Sequence, residues 1–299
     1  MAFDIYEAIA DRIIAELEKG IIPWTKPWAG TGDGPIKHTT GKPYSLLNQF
    51  LLDKPGEYLT YKQAQAEGGN VKKGAKGRMV VFWKMLQTTK KDGSGNVVRD
   101  SNGLPVAKVV PILKYYTVFH IDDCEGIKAK WTEPETQNDV RPIDAAQEVL
   151  EGYLSREHIL LVNENGDRAY YRPADDEIHL PLMEQFTDAI GYYDTAFHES
   201  VHSTGHPKRL NRISLGANIA AFGSEDYSKE ELVAEIGSCS IMHQLGLETE
   251  QSFCNNAAYI QSWLKALKND KRMIVSAAGK AEKAIALILG NSSAKTDEG

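Results

Sequence analysis

Residues 194–207, Asp-Thr-Ala-Phe-His-Glu-Ser-Val-His-Ser-Thr-Gly-His-Pro, constrain this chain more than any other stretch, because they set both a local fold and a chemistry. Asp194 is an N-cap residue type, Phe197 and Val201 form an apolar pair four apart, and Gly205 with Pro207 supplies a stop signal. A short helix is expected. At about 100° per residue, His198 and His202 project about 40° apart with Glu199 flanking them, so the three share one face. Two neutral imidazoles placed this way can hold a zinc ion while Glu199 takes a proton from a water that the metal activates. The competing reading is a helix with two core or solvated histidines.

A zinc site needs a third protein ligand. After a loop, Ser228-Lys-Glu-Glu-Leu-Val-Ala-Glu235 opens a second helix on which Glu231 and Glu235 share a face. One carboxylate can bind metal while the other steadies a ligating histidine. Ser228-x-x-Glu231 also reads as a capping box, and if Glu231 serves only there, Glu235 is the ligand. The arrangement resembles the gluzincin branch of zinc metallopeptidases, and that resemblance implies Glu231 as ligand with Glu235 behind it. A metzincin would need histidine at position 208, where this chain has Lys208. His206, beside the helix-ending Pro207, is an outsider for the role. The expected cofactor is Zn2+, or another divalent transition metal such as Mn2+.

At 299 residues the chain is long enough for two domains with cores of their own. No apolar run reaches the roughly 18 residues of a membrane span, and no secretory leader is evident, so the expected location is the cytoplasm with no membrane partner. Cys124, Cys239 and Cys254 are an odd number without Cys-x-x-Cys spacing, which argues for buried thiols rather than disulfides or a cysteine zinc site. Charge divides the chain. Residues 1–130 carry 19 Lys+Arg against 14 Asp+Glu, a net +5, which leaves 15 against 27, a net -12, for residues 131–299. Within residues 62–91 eight basic residues face the single acid Glu67, which suggests a surface for a polyanion.

Along the chain, Ile5, Ile9, Ile13 and Leu17 predict an amphipathic helix ending at Gly20. Of Trp24 and Trp28 in the stiff loop that follows, at least one belongs to the core. Leu46–Leu52 predicts a short helix, and Thr60 can cap another running to Ala66. Arg78–Leu86 and Val106–Ile121 read as strands, joined by a polar arm, Gln87–Leu104, whose Asp92-Gly93 and Asn102-Gly103 signal a long hairpin or mobile loop. Residues 1–125 are therefore expected to form an α+β domain with a small, mostly antiparallel sheet. Lys62, Lys72, Lys73, Lys76, Arg78 and Lys84 with Trp83 are candidate contacts to single-stranded DNA, cations for phosphates and rings for splayed bases. Tyr115, Tyr116 and Phe119 lie among them. In the second half, helices are expected at 144–154, 256–268 and 271–289, and short strands at 158–162, 169–172 and 177–180, one of which can receive a peptide by β-addition. Tyr192, Tyr193 and Tyr227 are candidates to stabilise an oxyanion.

Several ordered motifs carry a second resemblance. Gly41-Lys42-Pro43-Tyr44, Tyr58-Leu59-Thr60-Tyr61-Lys62-Gln63-Ala64, Gly68-Gly69-x-Val71-x-Lys73-Gly74-x-Lys76-Gly77, Val80-Val81-Phe82-Trp83 and Tyr116-Thr117-Val118-Phe119 look like the N-terminal domain of the ArdC antirestriction family, which is shared with TraC-type conjugative primases. The resemblance extends through His198–His206, Glu231–Glu235 and Tyr259–Asp270 to the family's zincin-like metallopeptidase domain. It covers nearly the whole chain except the arm Leu86–Pro105. It implies a single-stranded DNA-binding domain at 1–125 and a zincin-like metallopeptidase domain at 143–290; the proline-bearing polar stretch 126–142 reads as the linker between them, and the polar residues 291–299 as a disordered tail. Three functions follow as expectations. The first is an antirestriction protein of mobile DNA that binds the single strand entering a recipient cell. The second is a peptidase recruited to DNA to cut an associated protein, and the third a DNA-binding protein whose zincin half is an inactive, metal-stabilised scaffold.

Overall fold

The computed structural model describes residues 3–25, 34–131, 142–213, 225–247 and 257–291. Helix α1 (Ile5–Leu17) forms as its spacing predicts, with Asp4 accepting from the N–H groups of Tyr6 and Glu7 and with Ile9, Ile13 and Leu17 buried. α2 (Leu46–Leu51) and α3 (Tyr61–Ala66) follow; α3 opens on a full capping box between Thr60 and Gln63. A four-stranded sheet runs β1 (Pro35–Lys37), β2 (Gly56–Leu59), β5 (Ala107–His120), β4 (Arg78–Thr89) in space. Its one parallel pair is β1 with β2; the others are antiparallel. β3 (Asn70–Val71) pairs with β6 (Cys124–Glu125) beside it.

β4 and β5 outrun the rest of the sheet. β2 meets β5 only at Tyr58 and Leu59, whereas β4 stays in one-to-one register with β5 from Arg78↔Val118 to Thr89↔Ala107. The expected hairpin is thus a two-stranded ribbon, and its tip is ordered by a repeated device. Asp92 Oδ1 accepts from the N–H groups of Ser94 and Asn96, and Asp100 Oδ1 accepts from those of Asn102 and Leu104. Gly95 and Gly103 hold the left-handed φ that each turn needs. Between the two turns, Val98 is bonded to Lys90 on one side and Val106 on the other.

The second half holds α4 (Pro142–Glu157), a three-stranded sheet in the order β7 (Leu160–Glu164), β9 (Glu177–Pro181), β8 (Tyr170–Arg172), and helices α5 (Ala189–Thr204), α6 (Glu225–Gln244), α7 (Ala257–Asn269) and α8 (Met273–Ile288). Three expectations are corrected. α5 begins before Asp194, because Asp188 caps it by accepting from the Gly191 N–H; Asp194 is buried inside the helix and accepts from Ser238 Oγ at 2.8 Å. α6 begins at Glu225, so Ser228 lies within it and makes no capping box with Glu231. Cys124 is the expected buried free thiol, but Cys239 is disulfide-bonded. Trp28, Cys254, the linker residues 132–141 and the tail 292–299 lie outside the described residues.

The core does not divide where the chain does. Ile9, Ile13, Trp24, Leu46 and Phe50 belong to the same buried cluster as Phe197, Leu232, Trp263 and Ile274. Trp24 is fully buried and meets the Trp263 ring edge-on at 5.1 Å. Among the described residues no helix is long and apolar enough to cross a membrane.

Candidate metal centre and nucleic-acid surface

α5 and α6 lie against each other, and small residues set how closely. A Cβ on Gly237 of α6 would stand 2.7 Å from Val201 Cγ2, on the α5 turn between the two histidines. This approach brings the carboxylates of α6 to the imidazoles of α5. His202 Nε2 and His198 Nε2 are 3.1 Å apart, Glu231 Oε2 is 3.5 Å from His198 Nε2, and Glu231 Oε1 is 3.4 Å from His202 Nε2. Tetrahedral coordination with bonds of about 2.0–2.2 Å puts neighbouring ligand atoms about 3.3–3.6 Å apart, so this donor set fits a zinc-class ion. These three residues form the one such group of His, Cys, Asp and Glu among the described residues.

Other carboxylates sit behind the imidazoles. Glu235 Oε1 lies 3.8 Å from His198 Nδ1, and Glu230 Oε1 lies 3.8 Å from His202 Nδ1. Glu230 is fixed by Arg212, which also donates to the Val201 carbonyl at 2.9 Å and to Thr204 Oγ1 at 2.8 Å. Glu199 is buried too, and its charge helps to raise the pKa of His202. Burial opposes the charged form of His202, but Glu230 and Glu231 outweigh it and lift its pKa well above the usual value. Burial likewise opposes ionisation of Glu231, but the two imidazoles hold its carboxyl far below the usual carboxylate range. Burial pushes Glu235 up to about 7 against the pull of His198. His198, His202 and Glu231 would hold a cation here only with the imidazoles unprotonated, so its uptake would release protons.

His206 is buried but stands outside the ligand group, its Nδ1 accepting from the Lys208 N–H. The hydroxyls of Tyr192 and Tyr193 donate to Asn163 and Gln147, which makes both residues structural; the Tyr227 side chain lies outside the described residues. α5 packs against β8 and β9, and β8 is an edge strand of its sheet. Sequence reading missed Glu230 and Arg212. Nothing in the spacing marks Arg212, because its reach back over the end of α5 depends on the loop that Asn211 turns at φ 50°.

Gly237→Ala is expected to wedge α5 from α6, with a loss of about 1–3 kcal/mol. Thermal unfolding measures that loss, and a metal competition titration should show weaker uptake than wild type.

The basic candidates of the N-terminal half fall into three groups. Lys62, Lys73, Lys76 and Lys84 are exposed, and among the described residues none forms an ion pair. Lys72 is exposed too, with its Nζ donating to the Asp122 carbonyl at 2.7 Å. Arg78 departs from expectation: it is 6% exposed, with its guanidinium shared between Asp53 and Asp123, so it clasps the fold rather than offering a free cation. Trp83 and Tyr115 are 39% and 46% exposed. Tyr116 packs with Phe82, and Phe119 packs against Leu59, Ala64 and Cys124, so both are committed to the interior.

Residues 3–119 match the family model described as the N-terminal domain of anti-restriction factor ArdC, and residues 149–280 match that of zincin-like metallopeptidases. A protein named DNA primase TraC from Escherichia coli is 38% identical over 291 residues, which are 93% of this chain and 26% of that protein. The chain thus spans about a quarter of that relative. The uncharacterized protein y4eC of Sinorhizobium fredii (strain NBRC 101917 / NGR234) is 34% identical over 290 residues, covering 89% of its length. Crystal structures of the antirestriction ArdC protein from plasmid R388 superpose with a TM-score of 0.69. The metal-free form is 35% identical and covers 97% of this chain and 98% of that one; the Mn(II)-bound form is 34% identical and covers 98% and 100%.

Proposed function

Because this chain belongs to the ArdC family of antirestriction proteins, we propose that it shields incoming DNA from restriction by binding the single strand through its N-terminal half. The observation that carries this reading is the exposed lysine set of that half, Lys62, Lys73, Lys76 and Lys84, none of which forms an ion pair among the described residues, together with the exposed rings of Trp83 and Tyr115 elsewhere on the same half. Cations attract phosphates without regard to sequence, and open rings accept any base, which suits DNA of arbitrary origin.

The second half is a divalent-metal site in this reading, held by His198, His202 and Glu231. Bound there, the cation supplies Lewis acidity. Glu199 takes a proton from an attacking water, while Glu230 and Glu235 orient the imidazoles. A second reading, peptide hydrolysis as the main activity, draws support from the preassembled ligand atoms and from β8 as an edge to which an extended peptide can pair.

Changing Lys72, Lys73 and Lys76 together to Ala tests the first reading. The slope of log affinity against log salt for single-stranded DNA should flatten by up to about two, at about 0.7 for each phosphate that is no longer neutralised. Plasmid protection in recipient cells should fall with it. An unchanged slope and full protection would remove these lysines from the binding surface.

A further inference from the structure

The β4–β5 ribbon separates its charges by face. In a paired antiparallel ribbon opposite residues share a face, and successive residues alternate between faces. The unbroken register therefore puts Lys84, Lys108 and Lys114 on one face, with Phe82, Leu86 and Ile112 between them. The opposite face carries no charged residue along either strand; Trp83, Met85, Val109 and Tyr115 stand exposed there. Every charge on the two strands is a cation, and the fourth, Arg78, is spent at the base on Asp53 and Asp123. The arm's two acids, Asp92 and Asp100, are at the tip, each occupied with closing a turn.

We infer that the cationic face of this arm is a contact surface for the phosphate backbone of a nucleic-acid strand, extending the binding site beyond Lys72, Lys73 and Lys76. The three lysines occupy the rungs Phe82–Lys114, Lys84–Ile112 and Thr88–Lys108, so they stretch along about 20 Å of ribbon at about 3.4 Å per residue. Among the described residues no carboxylate pairs with any of them, so their charge is available to a polyanion. Phe82 and Tyr116, in ring contact on the same face, mark where it meets the buried cluster at the sheet end, and the lysines continue outward from there. Trp83 is the neighbour of Lys84 in sequence but looks the other way, so it does not serve this face.

The inference rests on the DNA-binding reading above, and one experiment separates them. Full-length wild type, Lys84→Ala/Lys108→Ala/Lys114→Ala and the matching triple Lys→Arg variant are titrated with a fluorescent oligonucleotide across salt, once as a single strand and once as a duplex. The Ala variant should fold as wild type by circular dichroism, since all three side chains are exposed. Its single-strand salt slope should flatten by about two, so that a fourfold rise in salt costs it about 16-fold less affinity than it costs wild type. The Arg variant should keep the wild-type slope. A folded Ala variant with the wild-type slope overturns the arm's role alone. A wild type that binds neither strand form with any salt dependence overturns the DNA-binding reading and this inference with it. Flattening confined to the duplex supports the surface but reassigns its strand form.

Discussion

Glu199→Gln should bind metal and single-stranded DNA as wild type does, protect incoming plasmids equally well, and lose about 100- to 10,000-fold of any peptide hydrolysis. The amide keeps the size and hydrogen-bonding reach of the carboxylate but cannot take the proton. Glu199 is not among the three groups whose atoms converge as ligands, so metal content should not change. Phosphate attraction to the lysines of the N-terminal half would need neither a metal nor a base. Three measurements decide the matter: elemental analysis, anisotropy with an oligonucleotide, and plasmid survival in a restricting host. A variant that is folded, metal-loaded and DNA-binding, yet gives no protection, would sink masking and make proteolysis the main function.

His202→Ala and Glu231→Ala should each lose most of the bound metal, whereas Glu235→Ala and Glu230→Ala should keep it with an affinity about 10- to 100-fold weaker. The distances motivate the division. Both oxygens of Glu231 face Nε2 atoms at 3.4 and 3.5 Å, so its removal leaves two imidazoles and no third donor. Glu230 and Glu235 stand behind the Nδ1 atoms, where they can fix a ring but not reach the shared space. Purified proteins dialysed against a trace of Zn2+ or Mn2+ and assayed for metal per chain give the ranking. Full metal in Glu231→Ala with loss in Glu235→Ala would exchange the two roles.

Much of this was legible because it is local. The two histidines and Glu199 share a helix, and a period of 3.6 residues is enough to gather them. The Thr60 cap, the α1 stripe and both ribbon strands were readable for the same reason. Asp194 misled because Asp188 is an equally good cap six residues earlier, and only the Ser238 contact reveals what Asp194 does instead. Arg78 looked like one more cation of a basic run, yet its partners Asp53 and Asp123 are 25 and 45 residues away. The choice between Glu231 and Glu235 turned on where α6 begins and on how close Gly237 lets it come to α5, and neither is a local property. The segregation of lysines on the ribbon needed the register, since a slip of one residue would have sent Lys108 and Lys114 to the other face.

The shared core has a consequence for inheritance. The acidic and basic halves differ enough in charge to look like parts that recombination could trade separately. Yet a breakpoint between them would strip Trp24 from Trp263, the Leu46 N–H from Glu282 and Lys271 from Asp11, and leave apolar surface bare on both products. Such fragments aggregate more readily than they fold. Recombination that keeps this protein folded is thus under pressure to move its two halves as one indivisible cassette, even where selection acts on only one of them.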